Sequence, residues 1–548
     1  MSDSKPASRL ATALSSMKAA GTEKATVARP PTALASQRTT ANGYPLTHEQ
    51  IGVLESGAKK IKVQAYAGTG KTTLLRAFAQ QTHAAHGLYL AFNNSIASQG
   101  RTLFPDNVQC RTHNALALRE LGVMHPGWRN IALTKLDTPR PEHVADFCLS
   151  NHTSPAWVLA MIQRYIYSRE PGIEPFHFPM ETALFLRPED PPPDVHAHAL
   201  VARDVWNAMC DPYSLIPMPH DGCLKLWSLS PRQLPFDYIL IDESQDSNPA
   251  FLQAIEQQNC RLIYVGDEHQ GIYGFRGAIN ALSHVAGCDE RHLTETHRFG
   301  PRLAMLANEV ILSKRCQSLL RSSPKAPDTE VVIGQAPLGS APLVLARTNA
   351  GLFEQALSFS QQGKRFALVG DAKKFIFPDL RDLLDLRDKT GQGCYAAYKD
   401  LDELRAAAED QDRNDLAMRT RIAQKYGAKL PSMLATINKQ LGSHTGALLD
   451  GNIAKLSTLH QAKGLESDWV ELLDDFLFAP ASPEKMERNA SGTRRQSDSE
   501  ESNVLYVAIT RARHGLAIRS KEVAAWAQSV ISRAPLRPAE SGDDSLFG

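Results

Sequence analysis

Two short segments carry residue types that can handle phosphate. The first is AYAGTGKTT (65–73), set between a strand-like apolar run and a helical stretch. Gly68 and Gly70 let the backbone wrap closely and aim N–H groups at phosphate oxygens. Lys71 supplies a point charge for the β- and γ-phosphates, and the Thr72 hydroxyl is placed to ligate Mg²⁺. Ala67, Thr69 and Thr73 complete the nucleotide-binding loop. The strict pattern opens on glycine, and here Ala65 stands in that place. The second segment is ILIDESQD (239–246), an apolar run ending in Asp242 and Glu243. Carboxylates there lie at the carboxyl edge of a sheet, where ligands bind in open α/β folds. Asp242 is the natural Mg²⁺ partner, directly or through bound water. Glu243 is the natural general base, or positioner, for an attacking water. Either segment alone has a plainer reading, a Gly-rich turn or a helix N-cap. Together they specify a site for ATP and Mg²⁺.

The elements that must position these residues follow from the apolar pattern. IKVQAY, GLYLAF, FDYILID (236–242) and RLIYVGD (261–267) read as buried strands, the first two each leading into a helix. Parallel strands alternating with helices predict an α/β fold. A first such domain covers 44–120 and 201–290. The Pro-rich, aromatic and less regular stretch 121–200 is read as a mainly helical insertion into it. A second alternating block covers 291–370 and 455–530, with a charged helical insertion at 371–454. Residues 481–502 read as a polar loop, and 531–548 as a flexible tail. Residues 1–43 hold six basic side chains against two acidic ones and little that could build a core. They are read as a flexible tail, with a basic arm on DNA phosphates or an organelle transit peptide as alternatives.

Composition sets outer bounds. The chain has 548 residues, 43% of them hydrophobic and 22% charged, with a net charge of +1. It is long enough for three or four domains, and no apolar run reaches the roughly 18 residues of a membrane helix. With no global basic field, any nucleic acid must be held in a local groove. The eight cysteines are scattered without a Cys-x-x-Cys pair, as expected of reduced thiols in an intracellular protein. His196 and His198 are read as surface or capping histidines rather than metal ligands.

Further segments stand in a fixed order along the chain: LTHEQ (46–50), YLAFNNSIA (89–97), CRTHNALA (110–117), VGDEHQGIYGFRGA (265–278), LTETHRFGP (293–301), LSTLHQAKGLESDWVEL (456–472) and EESNVLYVAITRARHGL (500–516). With the phosphate loop in its Ala-x-x-Gly-x-Gly-Lys-Thr form, this set resembles the UvrD/Rep branch of helicase superfamily 1. HDGCLKLWSLS (220–230), RFGP (298–301), ARTNAGLFEQAL (346–357), IAQKYGAKLPSMLATI (422–437) and LLDDF (472–476) are similar to the catalytic part of the F-box DNA helicase family.

The resemblance implies two RecA-like P-loop domains with ATP in the cleft between them. It implies that Gln50 reads the adenine edge and that Phe92, Asn94 and His113 meet single-stranded DNA. Gln270 would sense the γ-phosphate, while Tyr273, Phe275 and Arg276 would face the strand, the aromatic rings stacking on bases whatever their sequence. Arg298 would reach the γ-phosphate from the second domain, and His297 stands where relatives stack an aromatic ring on adenine. Glu466 would bind the ribose, with Ser467 in place of the usual aromatic after it. His460, assigned to the DNA side, and Lys463 lie near the domain interface. Arg511 would be an arginine finger.

The activity implied is a 3′-to-5′ DNA helicase or translocase in repair, recombination or fork processing. The alternative is a nucleotide-switched DNA-binding module, or a translocase that strips protein and unwinds little. The partners implied are single-stranded DNA and single/double-strand junctions, with recombinase filaments as a further expectation. Ser545-Leu546-Phe547 faintly resembles a sliding-clamp docking motif. Residues 1–43 lack the Leu-Pro opening and helical pattern of an F-box, so no ubiquitin-ligase partner is implied. Membrane association is not expected. The compartment is the cytoplasm or nucleoid in a prokaryote, and the nucleus or an organelle in a eukaryote.

Overall fold

The computed structural model describes residues 45–129, 131, 135–180, 192–272, 281–314, 316, 318–369, 379–391, 393–396, 398–410, 414–441, 452–476 and 496–533. Six strands form a first sheet: β1 (Lys60–Ala65), β2 (Gly87–Ala91), β3 (Val108–Thr112), β4 (Tyr238–Ile241), β5 (Arg261–Gly266) and β6 (Asp289–Leu293). Their order is β3-β2-β4-β5-β1-β6, and every neighbouring pair is parallel. β2 and β4 are buried at each position, because helices cover both faces of a parallel sheet. Alternate side chains feed separate cores. Leu88, Leu90, Ile239 and Ile241 join one, and Tyr89, Ala91, Tyr238 and Leu240 join the other.

A short parallel pair, β7 (Glu295–Thr296) and β8 (Arg321–Ser322), lies at the passage to the second lobe. That lobe holds β9 (Glu330–Ile333), β10 (Leu343–Ala346), β11 (Phe366–Leu368), β12 (Ala454–Thr458), β13 (Ser467–Leu472) and β14 (Ala512–Ile518). Their order is β11-β12-β10-β13-β14-β9, again all parallel. The protein is therefore α/β, with two parallel sheets flanked by helices.

Both inserted stretches are mainly helical where described. Between β3 and β4 run helices Pro141–Leu149, Pro155–Ile166 and Val195–Cys210. This agrees with the mainly helical insertion expected from the sequence: Pro141 and Pro155 open helices, where a missing N–H costs nothing. Between β11 and β12 run Leu380–Arg387, Leu401–Asp410, Asn414–Tyr426 and Leu430–Gln440.

Three edges differ from expectation. The first sheet reaches Leu293, because β6 pairs with β1. The polar stretch read as a loop to 502 turns helical at Gln496, in the helix Gln496–Ile509. The last helix runs Lys521–Arg533, into the stretch read as tail. Residues 1–43 and the Ser545-Leu546-Phe547 motif lie outside the described residues. Among the described residues no helix is long and apolar enough to cross a membrane.

Candidate nucleotide site at the lobe junction

The phosphate loop joins β1 to the helix Lys71–Gln81. Gly70 caps that helix with a left-handed φ of 84° and no side-chain hydrogen bond. The first-turn N–H groups are thus left without a side-chain cap, as an anion site needs. Gly68 also has a positive φ, of 76°. A Cβ there would sit 2.3 Å from Thr296 Oγ1 and 2.6 Å from the Arg298 Cβ. Glycine is required both by the turn and by the approach of segment 296–298, whose His297 N–H donates to the Gly68 carbonyl at 2.9 Å. Lys71 Nζ donates to the Ala65 carbonyl at 3.2 Å. Thr72 is exposed, while Ala67 and Thr69 are buried and Thr73 half-buried. Gln50 is buried on the far side of the loop. Its amide donates to the Thr69 carbonyl at 3.3 Å and accepts from the Thr47 N–H at 3.0 Å, closing a capping box.

The acid pair follows β4. Asp242 is 3% exposed, and its carboxylate accepts from the Tyr89 hydroxyl at 2.7 Å and the Glu243 N–H at 2.9 Å. Glu243 adopts a left-handed backbone, φ 49°, a costly conformation for a residue with a side chain. Gln245 donates to its carboxylate at 2.6 Å. Burial and the adjoining Glu243 charge push Asp242 up to about 6. Burial acts on Glu243 too, but Lys71 and Lys463 outweigh it and hold that carboxyl down to about 2. One acid thus stays ionised, as a base or water-positioner must. The other is buried beside it and would be relieved by a cation. Asp242 and Thr72 are hard oxygen donors of the kind Mg²⁺ takes. With the uncapped helix start, these residues fit a magnesium nucleotide.

The second lobe reaches into the same place. Arg511 is 2% exposed. It donates to the Gln270 side-chain oxygen at 3.2 Å, the Val507 carbonyl at 3.0 Å and the Leu465 carbonyl at 3.4 Å. Burial and nearby Arg298 lower it to about 10, so it stays charged at neutral pH. Gln270 in turn donates to Asp267 at 2.8 Å. Arg298 donates to the Thr510 carbonyl at 2.9 Å and pairs with Glu466, which also accepts from Arg513 at 2.8 Å. Burial would raise Glu466, but the two arginines hold it below the usual carboxylate range. His297 is exposed and His460 half-buried.

Two contacts here had no counterpart in the sequence reading. Tyr506 of the second lobe is fully buried; its hydroxyl accepts from the Ala67 N–H at 3.2 Å and donates to Asp267 at 3.0 Å. Lys463 donates to Asp246 at 2.5 Å and to the Gln270 carbonyl at 2.6 Å. The only advance signal for Tyr506 was a hydroxyl placed in the apolar run NVLYVAI. Lys463 was assigned to the interface, but without its partner.

Asp246 is wholly buried, so Lys463→Met should leave an uncompensated charge and loosen the junction by about 3 kcal/mol. Amide exchange in 242–247 and 459–463 should then speed up by about 100-fold. Adding Asp246→Asn should restore most of the protection, and unchanged exchange in the single variant would show that the pair contributes nothing.

The residues assigned to DNA divide. Half-buried Phe92 and exposed Asn94 line a cavity of about 910 Å³ with Thr138, Gln163 and Tyr167. His113 also borders it, but only 8% exposed and stacked on Phe251 with centroids 3.8 Å apart. Burial lowers its pKa to about 3. The structure makes His113 a neutral floor residue rather than an exposed contact. Tyr273, Phe275 and Arg276 lie outside the described residues. His196 is exposed, while His198 is buried, with both ring nitrogens against backbone groups of Asp194 and Ser154.

Residues 227–284 match the UvrD/REP helicase N-terminal domain, and 339–522 match the UvrD-like helicase C-terminal domain. F-box DNA helicase 1 of Gallus gallus is 29% identical over 501 residues, covering 85% of this chain and 48% of that protein. F-box DNA helicase protein 1 of Schizosaccharomyces pombe is 27% identical over 530 residues, covering 87% and 57%. ATP-dependent DNA helicase UvrD2 of Mycobacterium tuberculosis is 27% identical over 356 residues, covering 54% and 48%. The chain thus spans about half the length of the curated relatives it matches. Two helicase domain models match in chain order, on two parallel α/β lobes with a phosphate loop at their junction: the chain carries UvrD-like helicase domains and resembles the UvrD/Rep-like helicases of superfamily 1.

Proposed function

We propose that the chain is a DNA-dependent ATP hydrolase that moves 3′ to 5′ along single-stranded DNA and opens duplex at single/double-strand junctions. The observation that carries this is Arg511. A buried cation of the second lobe is hydrogen-bonded to Gln270 of the first and acts on the charge of Glu243. A mere nucleotide-holding module has no need of that arrangement. That these relatives are DNA helicases supports DNA as the track.

Bound ATP with Mg²⁺ would supply the phosphoanhydride whose hydrolysis drives the cycle. The protein's own part is positional. The loop 65–73 would cradle the phosphates and Thr72 and Asp242 would hold the cation, while ionised Glu243 would orient water and take its proton. Arg511 and Arg298 meet negative charge from the opposite lobe. For Arg298 this means leaving Glu466, and Glu466 freed in that way is available to the ribose. Contacts from both lobes to one ligand favour closure, and their loss on hydrolysis favours opening. The strand then runs past Phe92 and Asn94. We assign the first lobe to 44–120 and 201–293 and the second to 294–370 and 455–530, with repair, recombination or fork processing as the setting.

The test is ATP turnover with and without single-stranded DNA, followed by strand displacement from duplexes tailed at either end. Stimulation by DNA with displacement from 3′-tailed duplex alone is the expected result. Stimulation without displacement would replace unwinding by protein stripping along the strand. Turnover indifferent to DNA would overturn the proposal.

A further inference from the structure

We propose that Glu268, His269 and Cys316 form a zinc site that joins the two lobes. Glu268 and His269 follow β5 in the first lobe, and Cys316 follows the helix Pro301–Ser313 in the second. Glu268 Oε1 lies 3.5 Å from His269 Nε2 and 3.4 Å from Cys316 Sγ. All three candidate ligand atoms fall within 4.8 Å of one another. Zinc takes nitrogen and oxygen at about 2.0–2.2 Å and sulfur at about 2.3 Å, so tetrahedral ligands stand roughly 3.3–3.8 Å apart. The two shorter spacings already lie in that range.

His269 is the observation that points to a ligand. Its side chain is 0% exposed, and among the described residues neither ring nitrogen has a hydrogen-bond partner. It lies between Tyr66 and Tyr506, with centroids at 5.7 and 5.5 Å, and neither hydroxyl serves it. The Tyr66 hydroxyl donates to the Ser318 carbonyl at 2.6 Å, and Tyr506 is engaged with Ala67 and Asp267. A buried imidazole left in this way is costly, and a metal would use one of its lone pairs. Burial keeps the ring neutral, the form that binds metal.

The donor set also selects the ion. Sulfur and imidazole favour zinc over magnesium, which prefers oxygen and water. Burial and the Glu268 charge push the Cys316 thiol up to about 12, against a smaller opposing effect of Lys314. The thiol proton must therefore leave to water as the metal–sulfur bond forms. Glu268 is 36% exposed, which gives the ion a way in. The Tyr66–Ser318 hydrogen bond already fixes the Cys316 segment against the first lobe, so little rearrangement is needed.

Zinc bound here would hold the lobes together. If turnover requires them to part, as the motor reading has it, zinc slows turnover; binding itself does not depend on that reading. The full chain is stripped of metal and titrated with Co²⁺, then Zn²⁺. The expected result is one equivalent of cobalt giving a thiolate-to-cobalt charge-transfer band, which zinc abolishes. Cys316→Ser should lose the band and weaken zinc binding by about 10-fold or more. The same variant should keep its metal-free ATP turnover and lose its sensitivity to zinc. Glu268→Gln, which keeps the side-chain shape, should also weaken zinc binding, and it carries the test if Cys316→Ser does not fold. A band that survives in Cys316→Ser, or the absence of a stoichiometric band in the parent, would overturn the site. Zinc binding that leaves DNA-stimulated turnover untouched would keep the site and overturn its role as a staple. Absent turnover with normal zinc binding would count against the motor reading alone.

Discussion

Replacing Arg511 with alanine is expected to lower DNA-stimulated ATP turnover by about 10³-fold or more, while nucleotide still binds. The guanidinium is almost wholly enclosed, so its charge is little screened. It is oriented in advance by the Gln270 oxygen and by two backbone carbonyls of its own lobe. Donors fixed in that way need no reorganisation as negative charge builds on a transferring phosphoryl group. Lysine should rescue little, since a point charge cannot serve Gln270 and a phosphate in the same fork geometry. Turnover should be measured at saturating single-stranded DNA, with binding of a fluorescent nucleotide read separately. A loss below about 10-fold would reduce Arg511 to a lobe-packing residue.

Glu243→Gln should cost about 10²–10⁴-fold in turnover and leave nucleotide affinity near that of the parent. The amide keeps the shape and the Gln245 neighbour but cannot accept a proton from water. The same position offers a second readout. Glu243 is a side-chain-bearing residue at φ 49°, beside another buried carboxyl. Glu243→Gly should relieve the backbone strain but lose the attraction of Lys71 and Lys463, destabilising the fold by about 1 kcal/mol while abolishing turnover. A small fall in melting temperature with loss of activity is the expected pair of results. A rise in melting temperature would mean that the strain outweighs the lost attraction and the Gln245 contact.

The parts legible in the sequence were those whose signal is local. Gly68, Gly70, Lys71 and Thr72 sit at fixed offsets between a strand and a helix. Asp242 and Glu243 end an apolar run that can only be a buried strand. The alternation of such runs gave the α/β class and the second block of strands. What escaped depends on contacts between residues far apart in the chain, which leave no periodicity. Tyr506 meets Ala67 across 439 positions, and Lys463 meets Asp246 across 217. His113 was assigned to the strand because its segment resembles a DNA-contacting motif, yet Phe251, from a distant helix, covers it. The prolines of 121–200 did not hide its mainly helical character, because at the first helical position proline marks a beginning. The start of the helix at Gln496 was hidden by a polar segment without an apolar stripe.

The Tyr506 hydroxyl has one proton to give. It gives that proton to Asp267, and with the same oxygen it receives the Ala67 N–H. The direction of the chain is therefore set: amide to hydroxyl to carboxylate, each bond polarising the next. Asp267 also holds Gln270, the partner of Arg511. A single oxygen atom thus stands in an unbroken hydrogen-bonded path from the phosphate loop to the arginine.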